Sequence, residues 1–167
     1  MKIKGILLLI LCVLATNCMA GMSAERLFRL ERSKNRNMVC YDVRHDGASL
    51  DMKNPVEVYW ISVESGGGRN DLNMIERKLA YGYDVVEKGK NEVVVQLRSY
   101  KQLPIRVCCN DGKWVAIVQI DGHEVHLSRV YVHTKTPTAL SVDYLELEGI
   151  DKSTGKTYTK RITEGLN

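Results

Sequence analysis

The sequence has no apolar run long enough to cross a bilayer: the longest, Gly5 to Ala15, is about 11 residues where a spanning helix needs about 20. It also lacks a charge excess of one sign. With Lys2 and Lys4 set aside, the 24 basic and 20 acidic residues balance to about +2. That balance gives no argument for a nucleic-acid binder or for a polybasic membrane patch. Cysteine is scarce beyond residue 20, with only Cys40, Cys108 and Cys109. Three thiols make no disulfide scaffold, and none is needed, since a domain of about 147 residues buries about two-thirds of its unfolded surface unaided. The thiols read as small buried apolar groups, as one bridge from Cys40 to Cys108 or Cys109, or as a catalytic group. Neighbours on one strand face opposite ways, so only one of Cys108 and Cys109 can share a face with Cys40. No internal repeat, low-complexity stretch or linker divides the chain, and residues 21–167 read as one domain.

What the chain does have begins with an address. Lys2 and Lys4, the short apolar run and the exit Cys18-Met19-Ala20 have the order of a secretory signal. Cleavage after Ala20 would start the processed chain at Gly21. A second route uses Leu14-Ala15-Thr16-Asn17-Cys18, the outline of a lipoprotein box with Cys18 as the lipidation site, although Asn17 is bulky for the position before an acylated thiol. The expectation is an exported protein of the periplasm or cell envelope, an outer-membrane lipoprotein in the acylated case. Membrane contact is expected only through that anchor.

The remaining chain is mostly strand-like. Val39, Tyr41 and Val43 alternate within 37–44, Pro55 to Val63 is a β-rich run, and Val93, Val95 and Leu97 alternate within 92–98. Asn110-Asp111-Gly112 joins 105–109 to 113–121, and Asp121-Gly122 leads into 123–133, both strong hairpin signals. Residues 140–149 and 156–162 flank Ser153-Thr154-Gly155, a third. The pattern predicts a mainly β fold, an antiparallel sandwich or barrel of about eight strands.

One segment departs from it. Leu72, Ile75 and Leu79 recur at helical spacing, Asn70 or Asn73 can cap the start with Glu76 in capping-box position to Asn73, and Gly82 suits a left-handed helix end. This predicts one helix near residues 71–81 with Leu72, Ile75 and Leu79 packed on the sheet. Asn73, Arg77 and Tyr81 then form a polar stripe, and Glu76 sits at the edge of the apolar face.

Three stretches carry a family likeness: Phe28-Arg29-Leu30-Glu31-Arg32-Ser33-Lys34-Asn35-Arg36-Asn37, Pro55-Val56-Glu57-Val58-Tyr59-Trp60, and Leu72 to Tyr83 with its Arg77-Lys78-Leu79-Ala80-Tyr81-Gly82-Tyr83 string. In these the chain resembles the exported bacterial family catalogued as domain of unknown function 4833. The resemblance implies one compact domain behind a signal or lipoprotein peptide. It implies no activity, cofactor or catalytic residue.

Chemistry-bearing motifs are correspondingly weak. His123 and His126 are three apart in a strand, which sends them to opposite faces, so no metal site is expected. Ser33 or Cys40 with His45 or His126 has neither the Gly-x-Ser-x-Gly elbow nor a papain-like context. Glu57, Glu76 and Glu146 are carboxylates of unknown separation. Gly66-Gly67-Gly68 lacks the Lys-Ser/Thr of a phosphate loop and reads as a mobile link into the helix. Arg26, Arg29, Arg32, Lys34 and Arg36 form a basic entry segment, read first as a solvated strand edge or a salt-bridged surface. The candidate binding site joins Lys34 and Asn35 of that segment to Glu76, Arg77 and Tyr81 of the helix, with a Lys34–Glu76 ion pair as the structural competitor. The resulting expectation is a binding or structural module for a glycan, a peptide or an envelope protein, without cofactor or nucleic acid. The alternative is a small envelope hydrolase around Lys34, Asn35, Glu76 and Arg77.

Overall fold

The structure is a computed structural model that describes residues 23–135 and 142–166. The expected signal, Cys18 and the start of the strand expected from Leu140 lie outside them. The strands are β1 (Ser23–Arg32), β2 (Asn35–His45), β3 (Val56–Ser62), β4 (Gly68–Asp71), β5 (Tyr83–Lys88), β6 (Glu92–Leu97), β7 (Tyr100–Asn110), β8 (Lys113–Ile120), β9 (His123–Thr134), β10 (Val142–Ile150) and β11 (Thr157–Ile162). These 11 strands make one sheet curled into a half-barrel, in the order β4-β3-β2-β1-β9-β8-β7-β6-β5, with β10 on β9 and β11 on β10. The mainly β expectation holds, with very little helix.

The junction is β9, which pairs with β8 through His123–His126, with β1 through Arg129–Val132, and with β10 along most of its length. The β1–β9 pairing is parallel, and the other strand pairings are antiparallel. Inside the curl, alternation brings Val39, Tyr41 and Val43 of β2, Val93, Val95 and Leu97 of β6, and Ile105 and Val107 of β7 into one apolar core. Phe28 and Tyr41 stack there with centroids 4.3 Å apart. Both Asp-Gly hairpins take the backbone their residues favour: φ is +48° and +75° at Asp111-Gly112, and +49° and +84° at Asp121-Gly122.

Of the two readings of the basic entry segment, the strand edge fails and the salt-bridged surface holds. β1 runs between β2 and β9 near the middle of the sheet. Phe28 and Leu30 supply a buried face, while Arg26 pairs with Asp42 and Arg29 with Glu31. Charge on one face of a strand leaves both backbone edges free to pair. Gly66 and Gly67 turn the chain with φ of +85° and +81°, and Gly68 then opens the short strand β4.

The helix is much shorter than its pattern predicts. Residues 74–80 make fewer than two turns, and Glu76–Ala80 winds as a π-turn closed by Tyr81 N–H donating to the Glu76 carbonyl at 2.8 Å. The capping box forms: Asn73 N–H donates to Glu76 Oε2 at 2.8 Å, and Glu76 N–H to Asn73 Oδ1 at 2.9 Å. The apolar face does not pack as expected. Leu72 is buried at 5%, whereas Ile75 and Leu79 are 71% and 73% exposed. One turn reaches the core only where it joins the chain, so the residues at its crest point away. Gly82 is required for a different reason from the one expected, since it lies outside the left-handed region. A Cβ there would sit 1.8 Å from the Arg77 carbonyl oxygen, so the glycine permits the close return of the chain beneath the turn.

Candidate functional site

A half-barrel has a seam. β4 pairs with only the Tyr59–Ser62 end of β3, leaving Val56–Val58 without a strand on that side, and β5 pairs with β6 alone. The Tyr83 side chain ties the two across the gap. The Tyr83 hydroxyl of β5 donates to the Val56 carbonyl at 2.9 Å and accepts from the Val56 N–H at 3.2 Å. Burial pushes the Tyr83 phenol above its ordinary pKa, only partly opposed by the Val56 hydrogen bond, so the tie stays neutral and able to donate.

Around this tie lies a cleft of about 570 Å³ whose charged lining includes Arg44, Lys53, Asp71, Arg77 and Arg98. Some of these charges are already committed. Arg98 binds Asp84 through Nε at 2.9 Å and Nη2 at 2.8 Å, Arg44 lies 3.9 Å from Asp51, and Glu57 accepts from Arg69 at 2.5 Å. Lys53, Arg77 and Asp71 form no ion pair among the described residues. Lys53 is placed by local chemistry: Asp51 Oδ1 accepts from the Lys53 and Asn54 N–H groups, both at 3.0 Å, in a turn that sets both residues at the rim. The Asn54 N–H, ahead of other causes, holds the Asp51 carboxyl below its ordinary value.

A second cleft, of about 730 Å³, lies between the β7–β8 hairpin and the turn after β10, and it borders Cys108, Asn110, His123 and His126. His123 and His126 serve different neighbours, His123 stacking on Tyr158 at 4.4 Å and His126 Nε2 lying 3.5 Å from Asn110 Nδ2, yet both reach this cleft. Burial raises the Cys108 thiol, with Arg106 opposing, so it is held protonated and is a poor nucleophile. Cys40, Cys108 and Cys109 are all free, and the neighbours face opposite ways, Cys108 buried and Cys109 exposed. Among the described residues no three His, Cys, Asp or Glu side chains gather as a metal site.

The residues singled out from sequence do not share one cleft. Arg77 lines the seam, whereas Asn35 borders a separate hollow of about 310 Å³ with Arg32, Asn37 and Tyr131. Lys34 is exposed and forms no ion pair among the described residues, and the Glu76 carboxylate is taken by its capping box. The entry segment does meet the turn at Tyr81, but through Arg32 and not Lys34 or Asn35: Arg32 Nη1 donates to Tyr81 OH at 3.0 Å, and Tyr41 OH further along β2 donates to the Tyr81 carbonyl at 2.8 Å. Ser33 is occupied by Thr134, whose N–H it accepts at 3.0 Å. Glu146 is held by Arg129 at 3.1 Å and Arg161 at 3.6 Å, while Glu57 is held by Arg69. Sequence reasoning passed over Arg44, Lys53, Asp71 and Arg98. The Asp51-Met52-Lys53-Asn54-Pro55 string is a turn signal that marks Lys53, but nothing local in the sequence says that β3 and β5 face each other.

Neither the curated proteins nor the solved structures include a match to this chain. A family model described as Domain of unknown function (DUF4833) matches residues 28–161, well over half of the sequence, and the chain belongs to that family.

Proposed function

We propose that this is an exported, envelope-associated binding module whose seam cleft receives an extended acidic peptide. The observation that carries the proposal is the pairing of two strand edges without neighbours, Val56–Val58 and β5, with Lys53 and Arg77 standing uncommitted beside them. Strand edges offer backbone donors and acceptors at the spacing of another extended chain, and flanking side chains select what it carries. Two cations without ion pairs favour carboxylates, while Asp71 can take a backbone or side-chain donor. Tyr83 supports this reading, because its hydroxyl already occupies both polar groups of Val56 in the way a guest backbone would.

The test is calorimetric titration with a panel of acidic and neutral peptides and neutral oligosaccharides. An acidic peptide that binds the parent chain and binds Lys53→Ala and Arg77→Ala about tenfold more weakly, with melting temperatures unchanged, supports the proposal. Preference for an oligosaccharide would replace the peptide with a glycan, and equal binding by both variants would remove the cleft from consideration.

A further inference from the structure

The seam does not account for the turn beside it. Met74, Ile75 and Leu79 are 69%, 71% and 73% exposed, and they supply three of the five large exposed apolar side chains among the described residues. They fall within six residues, with Arg77 and Lys78 between them, and neither cation forms an ion pair among the described residues. Scattered apolar exposure is ordinary, but three such side chains on one turn are a patch.

The turn is also held rigidly. Leu72 anchors its entry in the core, the reciprocal Asn73–Glu76 bonds fix its start, and the Tyr81 N–H closes its end on Glu76. Arg98 Nη1 then donates to the Arg77 carbonyl at 3.2 Å, and Gly82 packs beneath that same carbonyl. Little conformational freedom remains to be lost when the crest is buried against something else. The Glu76 carboxylate accepts the Asn73 N–H, so the turn presents its apolar groups with two cations against one hydrogen-bonded carboxylate.

We propose that this turn is a membrane-docking knuckle, inserting Met74, Ile75 and Leu79 among the acyl chains of an anionic bilayer with Arg77 and Lys78 at the headgroups. The occupant follows from complementarity. An apolar groove on a protein would satisfy the three side chains and leave the cations unanswered, whereas an anionic lipid surface satisfies both. Three inserted side chains bind weakly and reversibly, so the knuckle orients the molecule on a surface and does not anchor it irreversibly. This inference shares Arg77 with the peptide reading of the seam, and its test therefore rests on Ile75, Leu79 and Lys78, which that reading does not use.

The experiment is hydrogen–deuterium exchange on the full chain, with and without vesicles mixing phosphatidylcholine and phosphatidylglycerol. Because the readout is local, attachment through the leader does not obscure it. Residues 73–82 are expected to gain protection with the anionic vesicles and much less with phosphatidylcholine alone. Ile75→Glu with Leu79→Glu should abolish that protection, and vesicle affinity should fall about tenfold while the melting temperature holds. Lys78→Gln should reduce only the preference for the anionic lipid. A chain that binds vesicles with no protection at 73–82, or that does not bind them, overturns the proposal. So does protection that appears without lipid as concentration rises, which would mark the patch as a self-association surface.

Discussion

Gly82 is the position where one methyl group should do most harm. The added Cβ would meet the Arg77 carbonyl oxygen at 1.8 Å, and that oxygen is backbone, so it yields only if the turn opens. Gly82→Ala is expected to lower stability by about 1 to 3 kcal/mol, the usual range for overpacking, read as a fall in the urea midpoint. Asp51 supplies a pH-dependent counterpart. Its folded-state pKa lies below the ordinary 3.8, chiefly through the Asn54 N–H, so it contributes stability above that value and loses it as pH falls through the lower folded value. Asp51→Asn should therefore melt below the parent at neutral pH, and the gap should narrow at acid pH. A constant gap across the titration would show that the charge contributes nothing. Cys40 and Cys108 are buried and Cys109 is exposed, with no bridge between them. A thiol reagent is accordingly expected to label Cys109 in the native protein and Cys40 and Cys108 only after denaturation.

At the scale of the element, the turn between β4 and β5 separates pattern from packing. Leu72→Ala should cost about 2 to 5 kcal/mol, because it empties a core position, whereas Ile75→Ala and Leu79→Ala should leave the denaturation midpoint where it is. Asn73→Ala should cost about 0.5 to 2 kcal/mol through loss of the cap. The capping box was legible because both partners lie within one turn of each other in sequence. The buried face was not, because periodicity identifies a side of a turn without saying whether anything covers it. β1 makes the same point from the other direction: Arg26, Arg29 and Arg32 gave it the look of a solvated edge, yet its place between β2 and β9 depends on a parallel partner about a hundred residues away.

At the scale of the molecule, export is the proposal drawn from the first twenty residues, and mass spectrometry of the cell-derived protein is the measurement that checks it. The expected result is an N-terminus at Gly21 or an acylated Cys18, and an intact Met1 in the exported fraction would defeat both routes. The candidate site belongs to this scale too. Lys53 and Arg77 are 24 positions apart in sequence and become neighbours of one cleft only when the sheet curls far enough to bring β3 opposite β5. Alternation, the two Asp-Gly turns and the capping residues act between close neighbours in the chain, so the sequence alone determined most of the strands, the hairpins and the cap, but neither β4 nor β5. The central place of β1, the exposure of Ile75 and Leu79, and the dispersal of Lys34, Asn35 and Glu76 away from Arg77 were decided by tertiary structure, because curling a sheet is a sum over many distant pairings that no local pattern encodes.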